Sequence, residues 1–381
     1  MIEKTRTTFG SLGELFDGPH ATPTRRHEGP YFLNIAGLDS GRLDLSACDH
    51  VSDEEFAKWT RRVTPQADDL LFSYETRLGD AALMPEGVTA CLGRRMALLR
   101  PNTSAVDPRF LLYFYLSPTF QRTIAENTIQ GATVSRIGLA TMPDWEVDIP
   151  ALPTQRAIAE VLGALDDKIA ANDRVQQIQD SLMAATYESG LAAGSIQNSV
   201  DEIAEFHNRY RIPLSSRERD SRKGTVPYYG ANGVLDHVDE SIFDHSLVLV
   251  GEDGSVVQDD GRAIVNYIWG KSWINNHAHA LTGKYFSTEM LKFAISRPTV
   301  THLVTGAVQP KISMGKLRTL IVDVPRNIPP VDDKITNMMS SWRAVAEESR
   351  LLAKTRDELL PLLMSGKLRV RDAEKTVEEV T

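Results

Sequence analysis

A chain of 381 residues with 42% hydrophobic and 24% charged side chains has room for two or three domains, each able to bury its own core. Its net charge of −9 excludes a uniformly basic nucleic-acid coat, and no apolar run approaches the ~18–20 residues of a membrane span. Two cysteines, Cys48 and Cys91, without a C-x-x-C motif exclude a disulfide framework and a structural zinc site, so a cytoplasmic protein with free thiols is expected.

Residues 1–150 carry −5 and read as a mixed α/β (α+β) domain. Short β-like runs occur at Pro30–Ile35, Asp69–Tyr74 and Met96–Leu99. One helix is expected after a Ser52 cap with Asp53, Glu54 and Glu55 in its first turn. Another starts near Asp107-Pro108, with Phe110, Leu111, Phe114 and Tyr115 on its apolar face. Residues 151–196 carry −3 and hold a long helix over about 153–189, whose seam is Ile158, Leu162, Leu165, Ile169, Asn172, Gln176, Gln179 and Met183.

Residues 197–326 are charge-balanced and repeat the order of the first domain in shorter form. Pro227-Tyr228-Tyr229 corresponds to Pro30-Tyr31-Phe32, Leu247–Val250 to the strand at 70–73, and Met290, Leu291 and Phe293 to the helix at 110–115. Residues 327–381 carry −1 and supply a second long helix over about 330–364. Its seam is Met338, Trp342, Val345, Ser349, Leu352, Arg356 and Leu359. Two amphipathic helices each packed on its own domain would also satisfy these patterns. The equal length and period favour a mutually packed pair, each helix spanning ~50 Å, or on the order of 15 base pairs of duplex.

The repeat has a register. Gly131-Ala132, Ile137, Asp148 and Pro150 recur 175 residues on as Gly306-Ala307, Ile312, Asp323 and Pro325. Each helical stretch then reaches a Ser-Gly, Ser189-Gly190 and Ser365-Gly366, offset by 176. The Pro30/Pro227 pair is offset by 197, so the second copy has lost ~20 residues in between. A duplicated domain-plus-helix unit predicts a pseudo-twofold molecule suited to a target in two parts.

No catalytic centre is legible. Trp269-Gly270-Lys271-Ser272 has valine where a phosphate-binding loop needs its first glycine, and Asn327-Ile328-Pro329-Pro330 has no glycine-rich cofactor loop beside it. His277 and His279 share one strand face but lack a third ligand, and Glu252-Asp253-Gly254 reads as a turn. The chain reads as a binder, with no catalytic residues, metal or cofactor of its own.

Its motifs resemble the specificity (S) subunits of type I restriction–modification systems over nearly the whole length. The first half carries Phe16–Pro23, Gly41–Leu45, Trp59–Val63, Phe72–Arg77 and Cys91–Met96, and the second carries Arg211–Ser216, Val250–Gly254 and Gln309–Ile312. The most specific blocks are Tyr228–Gly233, Leu152–Arg156 and Leu359–Leu368. The resemblance implies two target-recognition domains joined by two long antiparallel helices in a coiled coil, each domain reading half of a bipartite double-stranded DNA site. The helices would set the unread gap and dock two methyltransferase subunits. S-adenosylmethionine, ATP and Mg would belong to those subunits and to restriction/translocase subunits.

Bases are read by Arg or Lys on guanine and by Asn or Gln on adenine. On that chemistry the candidate DNA contacts are His20, Arg77, Arg94, Arg95 and Arg136 in the first domain. In the second they are Tyr229, Asn232, Lys271, His279, Gln309 and Lys311. Each also has a structural role open to it: a salt bridge for Arg94 or Arg95, half-core packing for Tyr228-Tyr229, a plain turn for Asn232-Gly233. A helical scaffold or regulator that never meets DNA is the competing reading. A self-contained nuclease or methylase would need motifs that are missing.

Overall fold

Local chemistry starts the helices where the sequence places them. Ser52 accepts from the Glu55 amide to cap helix Asp53–Trp59, with three carboxylates in the first turn. Asp107 caps Pro108–Leu116 in the same way, with proline at the first turn. The computed structural model describes residues 3–19, 21–131, 134–306 and 309–380. The chain forms two compact units, Met1–Ala171 with Glu348–Thr381, and Asn172–Glu347.

In the first unit a four-stranded antiparallel sheet runs in the order Gly13–Asp17, Met96–Pro101, Leu70–Ser73, Ala81–Leu83. A smaller sheet pairs Arg26–Leu33 in parallel with Ala90–Leu92, setting Tyr31 opposite Ala90. A third pairs Lys4–Thr8 with Glu146–Pro150. Phe72, Tyr115 and Phe120 fill the core between the main sheet and helices Pro108–Leu116 and Pro118–Glu126. Helix Val370–Glu378, beyond the end of the second long helix, buries Ala373 and Val377 in this core.

The second unit repeats the plan. Its four-stranded sheet runs Ala204–Phe206, Ala278–Gly283, Leu247–Gly251, Val265–Ile268, the same order of corresponding strands. Lys223–Gly230 pairs in parallel with Lys271–Ile274, and Ser195–Ser199 pairs with Ile321–Pro325. Helix Thr288–Ser296 covers the sheet with Met290, Leu291, Ala294 and Ile295.

The two long helices run Leu152–Ala192 and Ile328–Ser365, and both units contain a stretch of each. They pack antiparallel. In the first unit Arg356 donates to Asp166 at 2.7 Å, and Lys168 meets Glu348. Ile158, Leu162, Leu165 and Ile169 share a buried cluster with Leu352 and Leu359. Full burial of each leucine is worth roughly 1.5–3 kcal/mol. In the second unit Met183 and Tyr187 share a buried cluster with Val331, Ile335 and Met339, and polar bonds are added, from Gln179 to Ser341 and from Trp342 to Asp180.

Two expectations need correction. Met338, Trp342 and Val345 are only half-buried, and the deep positions on that stretch are Val331, Ile335 and Met339. Those deep positions join a core that holds both the sheet of the unit and Met183 and Tyr187 of the other helix, while Trp342 keeps its expected place on the helix pair through Asp180 and Gln176. The two Ser-Gly pairs also differ in use. Gly366 (φ +71°) ends its helix with paired bonds from Gly366 to Leu363 and from Lys367 to Leu362. Gly190 lies inside a helix that continues to Ala192, because a Cβ there would stand 2.7 Å from Val331. No helix among the described residues is long and apolar enough to cross a membrane.

Candidate nucleic-acid interface

The same piece of backbone stitching recurs in both units. In the first, Ile137 donates to the Tyr74 carbonyl at 2.8 Å and Thr76 to Ser135 at 3.3 Å. In the second, Ile312 donates to Glu252 at 2.8 Å and Gly254 to Pro310 at 3.0 Å. These bonds fasten the tip of a sheet strand to the end of the loop after Gly131 or Gly306. The turning residue is left-handed both times, Thr76 at φ +74° and Gly254 at φ +85°. A β-branched threonine there is strained and persists only because its surroundings hold it.

A third bond extends the correspondence. Tyr74 donates to the Arg95 carbonyl at 3.1 Å, and Glu252 to that of His277 at 2.8 Å. Arg95 and His277 therefore occupy one structural position. Each is paired with a carboxylate on the stitched tip, Arg95 with Glu75 at 2.7 Å and His277 with Asp253. Those carboxylate residues bridge through their backbone to Arg136 and Lys311.

Each arrangement borders an open cleft. That of the first unit, about 490 Å³, is lined by Arg25, Phe32, Asn34, Asp49, Arg94 and Arg95 among others. That of the second, about 400 Å³, is lined by the Gly230–Leu235 hairpin, Asp253, Asn275, His277 and Gln309. Beneath it Arg211 donates to Glu252 at 2.7 Å and to the Ala278 carbonyl at 2.6 Å. Burial is the largest single influence on the Glu252 carboxyl and works to raise it, but the bond from Arg211, the neighbouring charges and the bond from Lys311 together hold the carboxyl below its ordinary range.

Known proteins share this plan. A family model described as "Type I restriction modification DNA specificity domain" matches residues 44–179. A putative type I restriction enzyme specificity subunit from Haemophilus influenzae is 30% identical over 152 residues, 39% of this chain and 37% of that protein's length. Another, from Methanocaldococcus jannaschii, is 20% identical over 88% of this chain and 87% of its own. Over residues 44–179 the chain thus carries a match to the type I restriction modification DNA specificity domain, and beyond that stretch it is similar to specificity subunits of type I systems. Its fold agrees: the crystal structure of the S subunit from M. genitalium superposes with a TM-score of 0.58 at 17% identity, covering 95% of this chain and 96% of that one.

The chain brings some of the expected contacts together and not others. Arg94 and Arg95 line the first cleft, Asn232 and Gln309 the second, and Arg136 and Lys311 are exposed on the stitched loops. Lys271 is exposed but begins the strand whose far end reaches Asn275, roughly 13 Å away at ~3.3 Å per residue. Three candidates are engaged within the protein, Arg77 at an exposed position and the other two buried. Arg77 donates to the Ile35 and Leu38 carbonyls and pairs with Asp80, which fixes a turn. Tyr229 is 8% exposed, packed with Phe243, Leu247 and Ile274. His279 is fully buried. His20 lies outside the described residues, as do Ala132 and Ala307 of the repeat.

His279 is instead a clamp. Asn208 donates to its Nδ1 at 2.8 Å, and its Nε2–H donates to the Ile312 carbonyl at 2.8 Å, beside Lys311. Burial depresses its pKa from the ordinary 6.5, so the ring folds neutral. The unfolded chain then binds the extra proton, and stability present above about pH 6.5 is lost as the pH falls below it. Glu252 acts in the same sense at lower pH. Urea unfolding at pH 8 and pH 5.5 is expected to show this acid loss in the second unit, and His279→Gln to reduce it. An unchanged pH dependence in the variant would remove the assignment.

Proposed function

We propose that each unit reads one half of a bipartite, asymmetric DNA site. The observation that carries this reading is the repeated stitched loop and cleft, alike in backbone and different in side chains. Residues 1–150 and 197–326 serve as the recognition domains. Residues 151–196 and 327–381 serve as the helical spacer that sets the unread gap and docks two methyltransferase subunits. Exposed apolar Val175, Ile178 and Leu182, at helical spacing, supply one docking stripe. Catalysis lies on the partner subunits, which bring S-adenosylmethionine, ATP and Mg, and the assembly works in the cytoplasm.

The acidic balance of the chain supports the same division, because partner subunits closing around the duplex provide much of the phosphate contact. Mixing the folded chain with its methyltransferase subunits should give stoichiometric co-elution and adenine methylation at one bipartite sequence. Mapping methylated adenines in the host genome reads both half-sites and the gap. Folded components that neither co-elute nor methylate a defined sequence would overturn the reading.

A further inference from the structure

We infer that Arg95 and His277 are equivalent base-reading residues, one in each unit, held in register by Glu75 and Asp253. The inference rests on the reading of the two units as DNA-recognition elements. The equivalence comes from the main chain, since the carbonyl of each residue accepts from the corresponding amide, Tyr74 or Glu252. Sequence comparison hides it, because arginine faces histidine and the flanking residues differ.

Both side chains are placed to meet a ligand. They retain 34% and 48% exposure, while their carboxylate partners keep 24% and 16%. Arg95 holds a left-handed backbone (φ +72°) that a non-glycine residue adopts only under constraint. One acidic residue in each unit fixes both the reader's side chain and, through its backbone bridge, the loop that carries Arg136 or Lys311.

The two readers differ in what they recognise. A guanidinium oriented by Glu75 keeps donors in a fork that matches guanine O6 and N7. An imidazole whose Nδ1–H donates to Asp253 turns Nε2 outward, and in the neutral ring that nitrogen accepts from the exocyclic amine of adenine or cytosine. One frame thus presents two hydrogen-bonding letters, as an asymmetric site requires.

The test is site selection from randomised duplexes with the full chain in complex with its methyltransferase subunits. His277→Arg should shift one position of one half-site toward guanine about tenfold, with the other half-site and the gap unchanged. Arg95→His should remove a guanine preference of similar size from the other half-site. Asp253→Asn should weaken discrimination about tenfold at the position that His277→Arg alters. The unaltered half-site reports folding within each experiment. If the variants select the wild-type motif, or bind every sequence equally weakly, the inference falls while the DNA-reading function stands. A wild-type complex that selects no motif overturns that function and the inference with it.

Discussion

The double variant Arg136→Glu/Lys311→Glu is expected to lose sequence-specific DNA binding by at least ~100-fold, with the fold intact. Both residues are exposed at the ends of the stitched loops, one per unit. Each contact to a base or phosphate is worth roughly 1–3 kcal/mol, and a carboxylate adds repulsion from the duplex, so two reversals reach this range. Losing two cationic contacts should also lower the salt slope of binding by about 2. Lys311 sits 3.3 Å from Glu252, so a glutamate there also meets an acidic neighbour. Lys311→Met removes the charge without that repulsion and should show most of the single-site loss. Each single variant should damage one half-site only. Unchanged methylation of the native sites by the double variant would instead favour a scaffold that never meets DNA.

Much of the frame was legible in the residues because its signals are local. Caps at Ser52 and Asp107 and the heptad spacing of Ile158, Leu162, Leu165 and Ile169 act within a turn or two of helix. The 175-residue offset survived because Ile137 and Ile312, both buried, and the strands ending at Pro150 and Pro325 are held by the same packing. The seam at Met338 is shallower than expected because helical period alone does not say which positions of an apolar face lie deepest. Here Val331, Ile335 and Met339 go deepest because they meet both the core of the unit and the opposing helix, Val331 at Gly190.

The candidate site was harder to read, since side-chain chemistry does not reveal which donors the protein itself occupies. Arg77 and His279 carry suitable groups for DNA, yet carbonyls distant in sequence take them. His277 was passed over as half of an incomplete metal pair. Its correspondence with Arg95 lies in the backbone bonds of Tyr74 and Glu252, a register no residue identity marks.

Arg356→Ala is expected to destabilise the first unit by about 2–3 kcal/mol. Arg356 and Asp166 form the cross-helix ion pair at 2.7 Å, and Tyr113 donates to the second oxygen of Asp166 at 2.5 Å. Removing the arginine leaves a carboxylate largely desolvated; the loss falls short of the ~3–5 kcal/mol of a deeply buried pair because 16% and 22% exposure remain. The second unit builds the corresponding contact from other groups, with Asp180 paired to Lys292 at 2.9 Å. Phe293 stands at the position of Tyr113, offset by 180 like the helix caps Asp107 and Ser287. Trp342 and Asp180 stand at those of Asp166 and Arg356, offset by 176, and meet through an indole-to-carboxylate hydrogen bond of 3.2 Å. The triple variant Tyr113→Phe/Asp166→Leu/Arg356→Met leaves no polar group of the trio unpaired. It should therefore return to within about 1 kcal/mol of the native chain. Hydrogen exchange of helix residues 152–171 and 348–365 separates this unit from the other. A triple variant as unstable as Arg356→Ala would show that the ion pair contributes net stability beyond its desolvation cost.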